Sequence, residues 1–125
     1  MGGIMKKILI VEDEENVRSL IKETLDFLKK YEIHEAGTGK EALEKIREVQ
    51  PDLVILDIML PDIDGYSICE QIKSDPSMNT MVLMLTARSS ELDKKVGYSM
   101  GADEYMTKPF GLADLIAKVE LLLGA

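Results

Sequence analysis

The sequence predicts an α/β fold in which a doubly wound, five-stranded parallel sheet is covered on both faces by five helices. Three observations predict it. Unbroken apolar runs recur at Ile8–Val11, Leu53–Leu56 and Val82–Leu85, and strands apolar throughout belong to parallel sheets buried on both sides. Segments with helical spacing of apolar residues lie between the strand-like runs. The strand–helix alternation repeats five times with no internal linker, low-complexity tract or repeat, as a series of linked βα units requires.

The first strand, Ile8–Val11, runs directly into Glu12 and Asp13. Val17, Leu20, Ile21 and Leu28 then fall on one face of a first helix. Tyr31–Ala36 is a weaker, mixed strand, followed by a second helix marked by Ala42, Leu43, Ile46 and Val49. Pro51 precedes the third strand, Leu53–Leu56, which Asp57 ends. Ser67–Lys73 is the third helix, with Asp64 available as its N-cap. Asp75-Pro76-Ser77 reads as a turn before the fourth strand, Val82–Leu85, which Thr86 ends. Glu91–Met100 is the weakest helix, because the Gly97 inside it costs about 1 kcal/mol against alanine. A short mixed strand, Asp103–Met106, leads through Lys108 to the clearest helix, built on Leu112, Leu115, Ile116, Val119, Leu122 and Leu123.

The 125 residues fit one domain over 1–125. With 46% hydrophobic and 30% charged residues the composition is that of a soluble globular protein. A net charge of −8 argues against direct binding of nucleic acid or anionic membrane by this chain. Cys69 is the only cysteine, so no internal disulfide can form, and a reducing cytoplasm is the expected setting. No apolar run approaches the roughly 18–20 residues that span a bilayer, and Met1–Lys7 lacks the apolar region and cleavage site of a signal peptide.

Ligands of an open parallel sheet bind outside the carboxyl ends of its strands. There the sequence gathers Glu12, Asp13, Asp57, Thr86 and Lys108. Polar loops are common, but Asp57 interrupts the run LVILDIML, where a buried carboxylate needs a partner. Clustered carboxylates attract a hard cation, and a site of few acids with room for water and phosphate suits Mg²⁺. A carboxylate can also attack phosphorus to give an aspartyl phosphate. Lys108 could stabilise charge on the transferred group and Thr86 could donate to one of its oxygens.

The motifs ILIVEDE, LVILDIMLPDIDG, MLTA and GADEYMTKPF, in this order and spacing, resemble the receiver domains of two-component response regulators from about residue 6 to 123. The resemblance implies the strand order 2-1-3-4-5. It implies a cytoplasmic phosphoacceptor that takes phosphoryl from a sensor histidine kinase or phosphotransfer protein onto Asp57. It also implies that the domain promotes its own phosphorylation and dephosphorylation without acting as a turnover enzyme. Mg²⁺ would be held by Asp13, Asp57 and the Met59 carbonyl, with Glu12 acting through water. Lys108 would pair with the phosphoryl group, and its bond to Pro109 would be cis. Thr86 and Tyr105 would be the switch pair, and the small Ala87 would leave room for phosphate. The kinase would dock on the first helix and the loop after the fifth strand. Glu12 stands where many receivers carry aspartate, and Thr80-Met81 where Ile-Pro is frequent; neither removes a site residue.

The stretch TARSSELDKKVGYSMGADEYMTKPF further resembles receivers of winged-helix, OmpR/PhoB-like regulators. That implies a phosphorylation-dependent homodimer using Lys94, Asp103, Glu104, Asp114 and Lys118; the alternative is a solvated face of mixed charge. Both a stand-alone receiver and one attached to an output domain fit the sequence. A phosphatase of the haloacid dehalogenase type is the enzymatic rival, but it needs a second aspartate where Met59 stands. Gly37-Thr38-Gly39-Lys40 fails as a P-loop because His34 and Glu41 occupy required positions, and Asp62–Gly65 lacks calcium-loop ligands at Leu60 and Gln71. Cys69 and the eight methionines read as packing residues, and His34 as a surface or strand-edge residue.

Overall fold

The computed structural model describes residues 5–124; residues 1–4 and 125 of the expected 1–125 domain lie outside the described residues. The elements are β1 (Lys6–Val11), α1 (Glu15–Asp26), β2 (Tyr31–Ala36), α2 (Gly39–Val49), β3 (Leu53–Leu56), α3 (Gly65–Ser74), β4 (Met81–Thr86), α4 (Glu91–Ser99), β5 (Glu104–Thr107) and α5 (Leu112–Leu123). The strands are parallel in the order β2-β1-β3-β4-β5, which is the expected doubly wound sheet. Strand order reverses at β1 and β3, and a crevice opens at their carboxyl ends.

The unbroken apolar strands are explained by their two buried faces. Successive side chains on a strand point to opposite sides. Leu9, Val11, Val54, Leu56, Val82 and Met84 face Ala42 and Ile46 of α2 and Ile68, Cys69 and Ile72 of α3. Ile8, Ile10, Leu53, Ile55, Leu83 and Leu85 face Ile21 and Leu25 of α1 and Leu115 and Val119 of α5. Burying each such side chain contributes about 1.5–3 kcal/mol before the entropy cost of ordering it. The mixed β2 is the sheet edge, where His34 sits beside Glu32 with 2.6 Å between ring nitrogen and carboxylate.

Several boundaries shift by one or two residues from the sequence expectation, and three of these shifts have a clear local reason. The third helix begins at Gly65, two residues before Ser67. Asp64 caps it by accepting from the Tyr66 amide at 2.9 Å, and Gly65 lies so close to Asp57 that a Cβ there would stand 2.5 Å from the Asp57 carbonyl oxygen. The fifth strand begins at Glu104, because the Asp103 side chain turns back to accept from the Val82 amide at 2.8 Å and from Lys73 at 2.6 Å. The fourth helix ends at Ser99, one residue early, with Gly101 at φ +107° reversing the chain behind it.

Candidate phosphoacceptor site

Hydrogen bonding along the sheet delivers the polar residues to one edge. The Glu12 amide donates to the Ala36 carbonyl at 3.1 Å and the Asp57 amide to Val11 at 3.1 Å, extending the ladders by one step. The Lys108 amide donates to the Thr86 carbonyl at 2.9 Å. Glu12 is 2% exposed and Asp57 5%, so both carboxylates need partners.

Lys108 supplies one to each. Its Nζ lies 2.5 Å from Glu12 Oε1 and 2.9 Å from Asp57 Oδ2. The other Glu12 oxygen accepts from the Glu14 amide at 2.9 Å, and Asp57 Oδ1 from the Met59 amide at 3.0 Å. Burial opposes the Lys108 charge, but its bonds to Asp57 and Glu12 outweigh that and hold its pKa above the ordinary lysine value. Burial pushes the Glu12 carboxyl up, against the pull of Lys108 and the Glu14 amide. Both shifts are upward, which favours the charged form of Lys108 and the neutral form of Glu12: burial penalises charge on both groups, while only Lys108 has two opposite charges to offset it.

Exposed Asp13 completes the cluster: Glu12, Asp13 and Asp57 each offer an oxygen within 4.8 Å of the others. Three carboxylates share one ammonium, so the site keeps an excess of negative charge. Hard oxygen donors and unbalanced charge fit a divalent cation of the Mg²⁺ or Ca²⁺ type. Beside them an open cleft is lined by Asp13, Met59, Asp62 and Arg88, with Met59 53% exposed.

The sequence pattern of the response regulator receiver domain matches residues 8–120. The chain belongs to the receiver domain family. It is 43% identical over 94% of its length to the alkaline phosphatase synthesis transcriptional regulatory protein PhoP of Bacillus subtilis, covering 48% of that protein. It is 41% identical over 94% of its length to the transcriptional regulatory protein TrcR of Mycobacterium tuberculosis, covering 45% of it. The receiver therefore spans about half the length of these curated relatives. Among solved structures, the BeF3-activated DrrB receiver domain superposes with a TM-score of 0.88 at 36% identity, covering 98% of this chain and all of that one. The response regulator DrrB, described as a Thermotoga maritima OmpR/PhoB homologue, gives 0.87 at 36% identity over 96% of this chain and 53% of that one.

A receiver domain is a signalling module of two-component systems rather than a turnover enzyme, and it implies a cognate histidine kinase. The acidic cluster of this receiver is consistent with a phosphoaspartate site and with divalent metal binding. Among the described residues no helix is long and apolar enough to cross a membrane.

The remaining expected residues are distributed around this receiver's sheet. Thr86 is 0% exposed at the end of β4, and its hydroxyl accepts from the Arg88 amide at 3.4 Å. Tyr105 on β5 is buried, and its hydroxyl donates to the Arg88 carbonyl at 2.8 Å. The Lys108–Pro109 peptide bond is cis. On the charged face, Glu104 pairs with Lys118 of its own chain at 3.0 Å, and Lys94 lies 3.9 Å from Glu91. Asp103 is taken up by Lys73, and Asp114 lines a groove with Tyr105, Lys118 and Leu121.

Two features of the site were missed in the sequence. Arg18 of α1 donates to the Glu12 carbonyl at 2.8 Å and sits 3.4 Å from Glu35, bracing the acid-bearing loop. One arginine on a polar helix face carries no signal that separates it from its neighbours. Ser90 and Asp93 form a reciprocal capping box at the start of α4; that spacing was readable.

Proposed function

We propose that Asp57 accepts a phosphoryl group from a histidine kinase or phosphotransfer protein, in a cytoplasmic setting, and that the resulting charge switches the domain between two partner affinities. The observation that carries this reading is the division of labour on Asp57. One oxygen is held by Lys108 at 2.9 Å, the other accepts from the adjacent Met59 amide at 3.0 Å, and Asp57 offers a carboxylate oxygen to the cluster it forms with Glu12 and Asp13.

In the transfer an Asp57 carboxylate oxygen attacks phosphorus as the donor N–P bond breaks. The bond's electron pair stays on the donor imidazole, which takes a proton from solvent. Asp13, Asp57 and the Met59 carbonyl would hold Mg²⁺, with Glu12 acting through water. When bound there the ion would offset charge on the phosphoryl oxygens. Lys108 shields the same charge from the other side. The Thr86 hydroxyl then exchanges its long bond to Arg88 for a phosphoryl oxygen. That releases the segment whose carbonyl holds Tyr105, and the change reaches α4 and β5.

The exposed Leu92 and Leu121 and the groove at Asp114 and Lys118 support a homodimer that forms on phosphorylation. Lys94, Asp103 and Glu104 would then exchange partners within the chain for partners across it. Incubation with acetyl phosphate and Mg²⁺ should add one phosphate by intact mass. Asp57→Asn should take up none, and equal labelling of that variant would overturn the assignment. Thr86→Ala should still be phosphorylated but show smaller amide shifts at Tyr105, and sedimentation of the phosphorylated chain tests the dimer.

A further inference from the structure

The loop between β3 and α3 caps a different helix. The first four amides of an α-helix have no partners inside it. In α2 three of them, on Gly39, Lys40 and Glu41, are satisfied by side chains. The Ala42 amide begins the helical ladder at the Thr38 carbonyl at 3.0 Å, and the Glu41 amide donates to the Thr38 hydroxyl at 3.1 Å. The remaining two, Gly39 and Lys40, donate to the two oxygens of Asp62 at 2.8 and 2.9 Å, across more than twenty residues of chain. These bonds, Lys40's first, hold the Asp62 carboxyl below the usual aspartate range, as expected at the positive end of a helix. The contact is flush: a Cβ on Gly39 would stand 2.7 Å from Ile63 Cβ and 3.1 Å from Asp62 Oδ1.

The same loop leaves Asp57. Its base is fixed by backbone bonds, since the Ile58 carbonyl accepts from Gly65 at 2.9 Å and Leu60 at 3.1 Å, and Met59 bridges Asp64. Residues 60–63 project from that base, and their far end is tied down by the Asp62 bonds and the packing of Ile63 on the core. Asp62 lines the cleft with Asp13, Met59 and Arg88, but both its oxygens are already engaged by α2.

We infer that Asp62 is a positioning residue of the phosphoacceptor site: by clamping the β3–α3 loop onto the first turn of α2, it holds the Met59 carbonyl in place for the divalent cation. The inference rests on the proposed function, in which that carbonyl is a ligand. It makes the start of α2 part of the metal site's support, although α2 contributes no ligand.

The test is Mg²⁺ titration of the whole chain, followed by calorimetry and by amide NMR, for wild type, Asp62→Ala, Asp62→Asn and Thr38→Ala. Thr38→Ala removes a cap from the same helix but leaves the loop anchored. Asp62→Ala should bind Mg²⁺ about three- to tenfold more weakly, within or just below the usual effect of losing a ligand's supporting partner. Asp62→Asn, which keeps one acceptor oxygen, should fall between, and Thr38→Ala should match wild type. The Gly39 and Lys40 amide signals should move on adding Mg²⁺ to wild type. Equal affinity in wild type and both Asp62 variants overturns the role, as does equal weakening by Thr38→Ala. Failure of wild type itself to bind Mg²⁺ overturns the proposed function and this inference together.

Discussion

A Cβ on Gly97 would stand 2.9 Å from Cε2 of Tyr105, and 3.0 Å from the sulfur of Met84. Helix α4 thus crosses the sheet at a distance that glycine permits and alanine does not. In sequence Gly97 is only a weak point in a helix. In the structure it lets α4 close over the tyrosine whose hydroxyl holds the Arg88 carbonyl.

Gly97→Ala should therefore destabilise the domain despite better helix propensity. The propensity gain is about 1 kcal/mol, and overpacking a fitted contact costs about 1–3 kcal/mol. We expect a net loss of about 1 kcal/mol in urea unfolding. A more stable variant would show that the contact yields easily.

Lys108→Ala leaves Glu12 and Asp57 buried without a cation. Breaking a buried pair costs about 3–5 kcal/mol, and less where one partner is part-exposed. We expect a loss of about 2 kcal/mol without divalent metal, and a larger rise in Tm on adding Mg²⁺ than wild type shows. Identical Mg²⁺ shifts in the two proteins would contradict the ammonium's role as resident counter-charge.

Cys69 is fully buried on the core-facing side of α3, and burial pushes its thiol up to about 11. The thiolate is the reactive form, so at pH 8 the folded protein should resist a disulfide reagent. Modification should follow global unfolding, and its rate should rise with urea in step with the unfolded fraction. Rapid reaction without denaturant would place Cys69 in a segment that opens locally.

The bond from the Ser90 side chain, then the Ser90 amide and Arg88, hold the Asp93 carboxyl below its ordinary value. A depressed carboxyl stabilises the fold above its unfolded pKa, near 3.9; that contribution is lost as pH falls through the lower folded value. Ser90→Ala should move the Asp93 midpoint upward in an NMR titration and lower amide protection in α4. An unmoved midpoint would deny the capping box its part in holding that helix.

What the sequence determined by itself was the layer architecture and the identity of the acids. Unbroken apolar strands report two buried faces locally, residue by residue, and Asp57 stands out because a carboxylate in LVILDIML violates that local pattern. Tertiary structure alone decided the relations among distant residues. Lys108 reaches Glu12 across 96 positions, Asp62 reaches Gly39 across 23, and Asp103 is drawn to Lys73 across 30. Such pairs form because strand order and loop reach bring their ends together in space, and no spacing along one chain encodes that. The same distinction governs Gly97: its cost to the helix is intrinsic and legible, whereas its benefit exists only once Tyr105 lies beneath it.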